Sequence, residues 1–375
     1  MRASEPFKSN AKKLLDLLDS ENLDVLTLLG KSNITYATGI REPSGALVIS
    51  RNCPPTLVTP LLDYHRILLQ APSDVRVVAF YRGGEKGVES DIPRRDIVEG
   101  GIVEAILKVA GECGERKAAD LSTSSHTLGA KLAHAGFDDL TDKILDVRAR
   151  KSSYEVELIT EAARLAEKAF STLVKLLDSG MSEAEAAAII YREIVAGGGW
   201  GEAFPTIVAF YDNTALPHHT PGAVRLGVEG PVLVDWGAIV KGYRSDTTRT
   251  FWWGSNSPEK FQEILETVAE AVNAALDVLS PGVEAWEVDN AARVVLSKKK
   301  LSKYFIHGLG HGVGVDIHEK PYLRPGSKEV LEPGMIVTIE PGVYLPGLFG
   351  VRIENLVEVT AGGFRQITAL PLLIP

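Results

Sequence analysis

Four acidic residues stand where a strand-forming chain has most reason to avoid them. Asp235 ends the run Val232-Leu233-Val234, and Asp246 lies within Arg244-Ser245-Asp246-Thr247-Thr248. Glu340 ends Ile336-Val337-Thr338-Ile339, and Glu354 ends Val351-Arg352-Ile353. Each run is apolar or β-branched enough to read as a strand. A carboxylate among buried strand residues loses hydration worth several kcal/mol unless it is paired or bound to a metal. The alternatives are that these acids sit on polar strand faces or pair with Arg244, Arg249 and Arg352.

Their placement is systematic. Residues 155–178 put Val156, Ile159, Ala163, Ala166, Phe170, Leu173 and Leu177 near one face, with Gly180 beyond the end, which predicts a long amphipathic helix. Ser182 and Glu185 form a capping-box pattern that opens a second helix to about residue 196. A strand pair over 231–240 and 241–253 follows. The same order then returns, with helices over 258–279 (Ser257 as N-cap, Pro258 in the first turn) and 285–298. A strand pair over 335–344 and 350–360 completes it. The acids are 11 residues apart in the first strand pair and 14 in the second. Helix, helix, hairpin thus occurs twice, which predicts an internal pseudo-twofold repeat.

Upstream the texture differs. Strand-like runs at 25–29, 46–49 and 56–59 alternate with helical patterns at 61–70 and 97–109, as in a small α/β layer domain. The change falls near 150–153. At ~100–200 residues per domain, a chain of 375 residues suits two. The expected class is α+β, with a small α/β N-terminal domain at 1–150 and a second domain at 151–375.

Composition narrows the chemistry. With 45% hydrophobic and 24% charged residues the chain is globular rather than disordered or fibrous. Forty basic against 49 acidic residues gives a net charge of −9, and the short run Lys298, Lys299, Lys300 reads as solvated surface. No nucleic-acid partner is expected. No apolar run approaches the ~20 residues that span a bilayer, and residues 1–10 lack a signal-peptide core, so no membrane partner is expected either. Cys53 and Cys113 are the only cysteines. They are expected to pack as small free thiols, which points to a reducing compartment and a cytoplasmic location.

Histidine completes the pattern. Three of the eight lie in His307-Gly308-Leu309-Gly310-His311-Gly312-Val313-Gly314 and Ile317-His318-Glu319, and two form the pair His218, His219. The glycines allow backbone and imidazole to approach a shared centre. Acids with one imidazole make a hard, oxygen-dominated set suited to Mn²⁺, Co²⁺, Fe²⁺ or Zn²⁺, and four carboxylates neutralise two divalent ions. Gly308-x-Gly310 lacks the third glycine of a dinucleotide fingerprint, because Val313 occupies it; Walker A and nucleophile-elbow motifs are absent.

Val234-Asp235-Trp236-Gly237-Ala238, Ser245-Asp246-Thr247-Thr248-Arg249-Thr250, His307 through Gly314, Thr338-Ile339-Glu340-Pro341-Gly342 and Val351-Arg352-Ile353-Glu354-Asn355 resemble the signatures of the pita-bread metallopeptidases. More narrowly, they are similar to the proline-specific branch that contains Xaa-Pro dipeptidase (prolidase) and aminopeptidase P. Five separated motifs occur in order across 151–375. The first domain resembles that branch loosely, through residues 33–39 and Arg148-Ala149-Arg150-Lys151-Ser152.

The resemblance implies a creatinase-like N-terminal domain before a pita-bread catalytic domain. It implies that Asp235, Asp246, His311, Glu340 and Glu354 hold two divalent metal ions per subunit, Mn or Co favoured and Zn or Fe as alternatives. Asp246 and Glu354 would bridge the ions, Asp235 would serve one, and His311 with Glu340 the other. Such ions lower the pKa of a water and polarise a scissile carbonyl. Glu340 matches a general base, and His218, His307 and His318 match substrate-side histidines. Arg352 matches an arginine that orients a ligand carboxylate, a task its planar fork suits. His219 is expected to be a neighbour, and Trp236, Phe204, Tyr211 and Trp253 core or pocket wall. Two departures stand out. Tyr211-Asp212 replaces a small residue and glycine, which affects the upper pocket wall, and Tyr322 replaces an arginine present in some prolidases.

The implied substrate is a proline-containing di- or oligopeptide cut at the Xaa-Pro bond, which general peptidases handle poorly because proline lacks the amide hydrogen. Compact length favours Xaa-Pro dipeptidase; Tyr322 favours aminopeptidase P acting on longer peptides, with Arg324 a candidate replacement cation. A non-catalytic binding module and a metal-free creatinase-like hydrolase are further alternatives, against which the complete ligand set speaks. The resemblance also implies a homodimer.

Overall fold

The computed structural model describes residues 6–83 and 91–374. Half of the 1–10 segment considered above therefore lies outside the described residues. The chain divides into two compact units, Met1–Arg148 and Ala149–Pro375.

The first unit is built on a seven-stranded mixed sheet. Its spatial order is Ile97–Glu99, Arg76–Tyr81, Thr56–Pro60, Ala46–Ser50, Val25–Leu28, Lys117–Ala119, Phe137–Asp139. Ala46–Ser50 runs antiparallel to both its neighbours, and the remaining pairs are parallel. Val25, Val48, Val58 and Val78 share one face, where they pack on Ala105, Ile106 and Val109 of the helix Ile102–Cys113. The helix expected over 97–109 is corrected at its start, since Ile97–Glu99 is an edge strand. Gly100 at φ +128° breaks the chain direction there, and Glu104 accepts the Gly101 N–H at 2.8 Å to start the helix. Residues 61–70 likewise begin as a 3₁₀ turn, Leu61–Asp63, before the helix Tyr64–Gln70.

The cysteine expectation is overturned. Cys53 and Cys113 form a disulfide with Cα atoms 5.5 Å apart, joining the turn after Ala46–Ser50 to the C-terminus of Ile102–Cys113. The two thiols are 60 residues apart in the chain, so only the packing of that helix across the sheet brings them together. The inference of a reducing compartment loses its basis.

The second unit shows the repeated order. Helices Ser153–Leu176 and Glu183–Ala196 pack on the sheet Thr247–Trp253, Gly230–Trp236, Ile207–Phe210 through Phe170, Ile190, Val208, Val234 and Trp236. Trp236 stacks on Phe170 at 4.4 Å, which places it in the core. Helices Glu259–Val278 and Ala285–Lys298 pack on the five-stranded sheet Glu319–Leu323, Gly310–Gly312, Ile336–Ile339, Asn355–Thr360, Gly363–Gln366. Both first helices of a pair start earlier or later than their periodicity alone indicates. Ser152 and Glu155 form a capping box, so the first helix begins at Ser153. Ser257 is not the N-cap expected of it: Pro258 holds that position, and the Ser257 hydroxyl is buried without a partner.

Each predicted long strand is interrupted near its acid. In the first hairpin Gly230–Trp236 pairs with Thr247–Trp253, and Ala238–Val240 with Tyr243–Arg244. In the second, Ile336–Ile339 pairs with Asn355–Thr360, and Gly342–Leu345 with Phe349–Arg352. Asp246, Glu340 and Glu354 fall in the breaks, and Asp235 two residues before one. Gly237 permits the first break, since a Cβ there would meet the Ser245 carbonyl oxygen at 1.9 Å. The hairpins then join edge to edge: Glu354 N–H donates to the Thr248 carbonyl at 3.1 Å, and Thr250 Oγ1 to the Arg352 carbonyl at 2.9 Å. Convergence of the four acids follows from that seam.

Candidate active site

The acids meet the glycine-rich segment at the seam. Gly310 lets the strand Gly310–Gly312 lie against Ile336–Ile339, because a Cβ at that point would come within 2.0 Å of the Thr338 carbonyl oxygen. His311 is thereby held with Nε2 at 3.3 Å from Glu340 Oε1 and 3.7 Å from Asp246 Oδ2. Its Nδ1 faces the Gly312 carbonyl at 3.1 Å, which fixes the tautomer that leaves Nε2 for the acids. Asp246, His311 and Glu354 each offer a ligand atom, all within 4.8 Å of one another.

These groups fit a cation. Asp235 Oδ1 and Asp246 Oδ1 are buried and have no hydrogen-bond partner. Burial and the charges of Glu354, Asp235 and Glu340 push the Asp246 carboxyl well above its ordinary value, and Glu354 rises for the same reasons. Burial raises Asp235 too, although Arg352 opposes it. Burial alone would also raise Glu340; the hydrogen bond and charge of His311 outweigh it and hold that carboxyl at about 2. Crowded buried carboxylates with orphaned oxygens are the donor set of a divalent metal centre.

A layer of hydrogen bonds fixes the acids. Arg352 Nη2 donates to Asp235 Oδ2 at 2.6 Å, so the pairing alternative raised for this arginine is met alongside the cluster. Its Nε donates to Thr248 Oγ1 at 3.1 Å, and that hydroxyl donates to Glu354 Oε2 at 2.8 Å. Its Nη1 donates to the Tyr344 hydroxyl at 2.8 Å, which lies 2.9 Å from His307 Nε2. Arg249 pairs with no acid of the four. It is fully buried, donating to the backbone carbonyls of Thr248, Glu354, Leu370 and Pro371 and to Asn355 Oδ1, and to none of the four carboxylates. Arg244 donates to the Val315 carbonyl at 2.9 Å. Tyr344 and Thr248 were given no role by the sequence, and Arg249 only that of a possible partner for the acids. Tyr344 follows Gly342 by two residues, and only the register Gly342↔Arg352 brings its strand to the arginine.

A cavity of about 980 Å³ opens above the cluster. All five ligand candidates line it, as do His218, His307, His318, Arg352, Tyr322 and Arg324. Phe204 is wall, as are Leu216, Ile306 and Ile317. His318 stands edge-on to His311, ring centres 4.3 Å apart. Its segment is anchored by a buried ion pair, Lys151 Nζ to Glu319 Oε2 at 3.1 Å. The segment of His218 is anchored by Glu183, which the sequence gave no reason to choose. One carboxylate oxygen accepts from Phe210 N and Asn213 Nδ2, the other from Gly222 N and sits 2.9 Å from His219 Nε2. His219 is therefore a strut beside His218. Tyr211 turns away at φ 56°, its ring over Gly230 and its hydroxyl bonded to Gly227 N–H. The concern over the pocket wall at Tyr211 is met by that orientation. Trp253 donates to the Gly227 carbonyl at 3.2 Å on the same side.

Burial, with the charge of Arg352 and Arg293 against that of Glu340, leaves His307 below its ordinary value, and burial with His311 does so for His318. Both are neutral imidazoles at neutral pH. The site therefore combines an anionic centre, one carboxylate held ionised, and neutral imidazoles around a cavity of peptide size.

The sequence matches the metallopeptidase family M24 over residues 157–361 and the creatinase/prolidase N-terminal domain over residues 11–150. A Xaa-Pro dipeptidase of Pyrococcus horikoshii is 31% identical over 370 residues, covering 96% of this chain and 97% of that protein. The structure of a Xaa-Pro dipeptidase from Bacillus anthracis superposes with a TM-score of 0.84 at 28% identity, covering 98% of this chain and 100% of that one. An X-Pro aminopeptidase from Thermotoga maritima gives 0.85 at 27% identity, covering 97% and 98%. The fold is thus a creatinase-type N-terminal domain followed by a pita-bread domain. With these matches over both units and the carboxylate–histidine cluster at the centre of the second, the chain belongs to metallopeptidase family M24.

Proposed function

We propose that the protein is a metal-dependent Xaa-Pro dipeptidase, with residues 151–375 as its catalytic domain and 1–150 as its creatinase-like N-terminal domain. The observation that carries the reading is the pair of orphaned buried oxygens, Asp235 Oδ1 and Asp246 Oδ1, within the five-residue cluster on the floor of the cavity. Asp235, Asp246, His311, Glu340 and Glu354 would hold two divalent ions, Mn²⁺ or Co²⁺ before Zn²⁺ or Fe²⁺. When bound, such ions acidify a water and polarise the scissile carbonyl.

The chain's own groups do the rest. Glu340, ionised, accepts the proton of the attacking water. Arg352 holds Asp235 in place, and through Tyr344 it orients His307. His218 and His318 border the cavity where the substrate would lie; His318, as a neutral imidazole, would donate its ring N–H as a hydrogen bond to the substrate, while the proton taken up by Glu340 passes to the leaving proline nitrogen. The likeness to an X-Pro aminopeptidase supports a second reading, cleavage of longer peptides at the same centre.

Chelation tests the reading. Free proline release from Ala-Pro is expected to vanish in chelator and to return with Mn²⁺ or Co²⁺, at about two ions per chain. A metal-free preparation that cleaves Ala-Pro at full rate overturns it. The proposal includes a homodimer, checked by light scattering at micromolar concentration. It includes a cytoplasmic location, checked by fractionation. That location no longer draws support from free thiols, because Cys53 is bonded to Cys113. Among the described residues, no helix is long and apolar enough to cross a membrane.

A further inference from the structure

His307 stands at the cavity on a segment that no regular element holds. Residues 305–309 belong to neither helix nor strand, and the neighbouring Ile306 is exposed. The Tyr344 hydroxyl meets the tip of the imidazole, 2.9 Å from Nε2. A bond at the tip orients the ring, but it does not fix the backbone that carries the ring.

An ion pair on the helix Ala285–Lys298 fixes that backbone. Asp289 and Arg293 are four residues apart and share one face of the helix. Arg293 donates through Nε to Asp289 Oδ2 at 2.7 Å and through Nη2 to Oδ1 at 3.1 Å, a fork on a buried carboxylate. It also reaches the segment, with Nη1 donating to the Phe305 carbonyl at 3.2 Å and Nη2 to the His307 carbonyl. Asp289 Oδ1 accepts the Leu309 N–H at 3.0 Å. Residues 305, 307 and 309 alternate, so these backbone groups lie along one edge of an extended chain. A single side-chain pair thus serves that edge as a neighbouring strand would. The guanidinium also lies 4.2 Å from the centre of the Phe305 ring, which stands edge-on to His307 with centres 5.0 Å apart. Neither Asp289 nor Arg293 is among the residues that line the cavity.

We propose that Asp289 and Arg293 are positioning residues for the reaction, a clamp that holds residues 305–309 so that His307 meets the substrate in one fixed place. The inference rests on the Xaa-Pro peptidase reading above, for dipeptide or longer substrate alike, and extends it to a pair outside the cavity. A misplacement of about 1 Å in a group that orients substrate costs about 100-fold in rate. The segment of His218 has a different anchor, Glu183, which supplies the control.

The test uses the full-length, metal-loaded protein with Ala-Pro and Ala-Pro-Ala-Ala, and metal content and Tm are measured for every variant. Arg293→Gln is expected to lower kcat/KM by about 100-fold at full metal content. Arg293→Lys, a point charge without the fork, is expected to recover about tenfold of that loss. Because Arg293→Gln leaves a buried carboxylate unpaired, Asp289→Asn with Arg293→Gln is made beside it; it removes both charges and is expected to fold and to show the same loss. In a His307→Ala background Arg293→Lys is expected to cost less than about twofold, since the group it positions is gone. In a His218→Ala background it is expected to cost the full tenfold. Equal losses in the two backgrounds overturn the inference, because they mark a general effect on the fold. Full activity in the double variant overturns it too, as does a His307→Ala protein as active as wild type. Metal-loaded wild-type protein that cleaves neither peptide overturns the peptidase reading and the inference with it.

Discussion

Asp235 and Arg352 are 117 residues apart in the chain and 2.6 Å apart in space, and the contrast explains which residues a sequence reveals. The acids were legible because a carboxylate in an apolar strand is chemically out of place wherever its partners lie. Tyr344, Thr248 and Glu183 were not, since a hydroxyl on a strand or an acid in a first helical turn has an ordinary local explanation. Their work appears only as distances, such as Thr248 Oγ1 to Glu354 Oε2 at 2.8 Å. The same distances separate groups that would touch metal from groups that would touch substrate. Asp246→Asn removes a carboxylate that lies with His311 and Glu354 at the centre of the cluster. It is expected to lower bound metal and to cost more than the about 10–100-fold in activity typical of an outer partner. His318→Ala leaves the acids untouched and is expected to keep full metal content while kcat/KM for Ala-Pro falls by about 100-fold or more. Elemental analysis beside proline-release kinetics separates the two; equal metal loss in both variants refutes the division of roles.

At the scale of elements, glycine decides how closely strands approach, and two glycines give opposite expectations for one substitution. Gly310→Ala drives a Cβ toward the Thr338 carbonyl, a backbone atom that cannot swing aside. A loss of about 1–3 kcal/mol is expected in urea unfolding, with weaker metal binding because His311 is the next residue. Gly111→Ala, inside the helix Ile102–Cys113, meets nothing within 4 Å and is expected to stabilise by about 0.5–1 kcal/mol. The helices were legible from periodicity and caps: the Ser182 and Glu185 box forms as read, and Ala285–Lys298 has the expected limits. Strand continuity was not. The runs at 231–240 and 335–344 look unbroken in hydrophobicity, yet each divides in the structure next to an acid. The disulfide was equally silent, because it depends on a helix packing across a sheet rather than on cysteine spacing.

At the scale of the whole molecule, the candidate metal centre lies on the seam between two similar halves of the second unit. Arg352 and Glu354 from one hairpin bond Thr248 and Thr250 from the other, so the acids are brought together by the closure of the seam itself. Without metal, that closure makes the buried carboxyls either keep like charges together or take up protons, and the two unpartnered oxygens of Asp235 and Asp246 gain nothing in return. Metal reverses the sign. An ion that binds only the folded state at 100 times its Kd contributes about 2.7 kcal/mol. For a domain of 150–250 residues that corresponds to roughly 5–10 °C in Tm. Asp246→Asn replaces a carboxyl that, without metal, must either bury a charge or take up a proton, so its metal-free form is expected to melt above metal-free wild type. With excess Mn²⁺ the order is expected to invert, because the variant gains less from the ion. Scanning calorimetry on both proteins, with chelator and with Mn²⁺, checks the crossing. Parallel shifts in the two proteins would mean that Asp246 has no part in binding the ion, and that the repulsion at the seam is relieved in some other way.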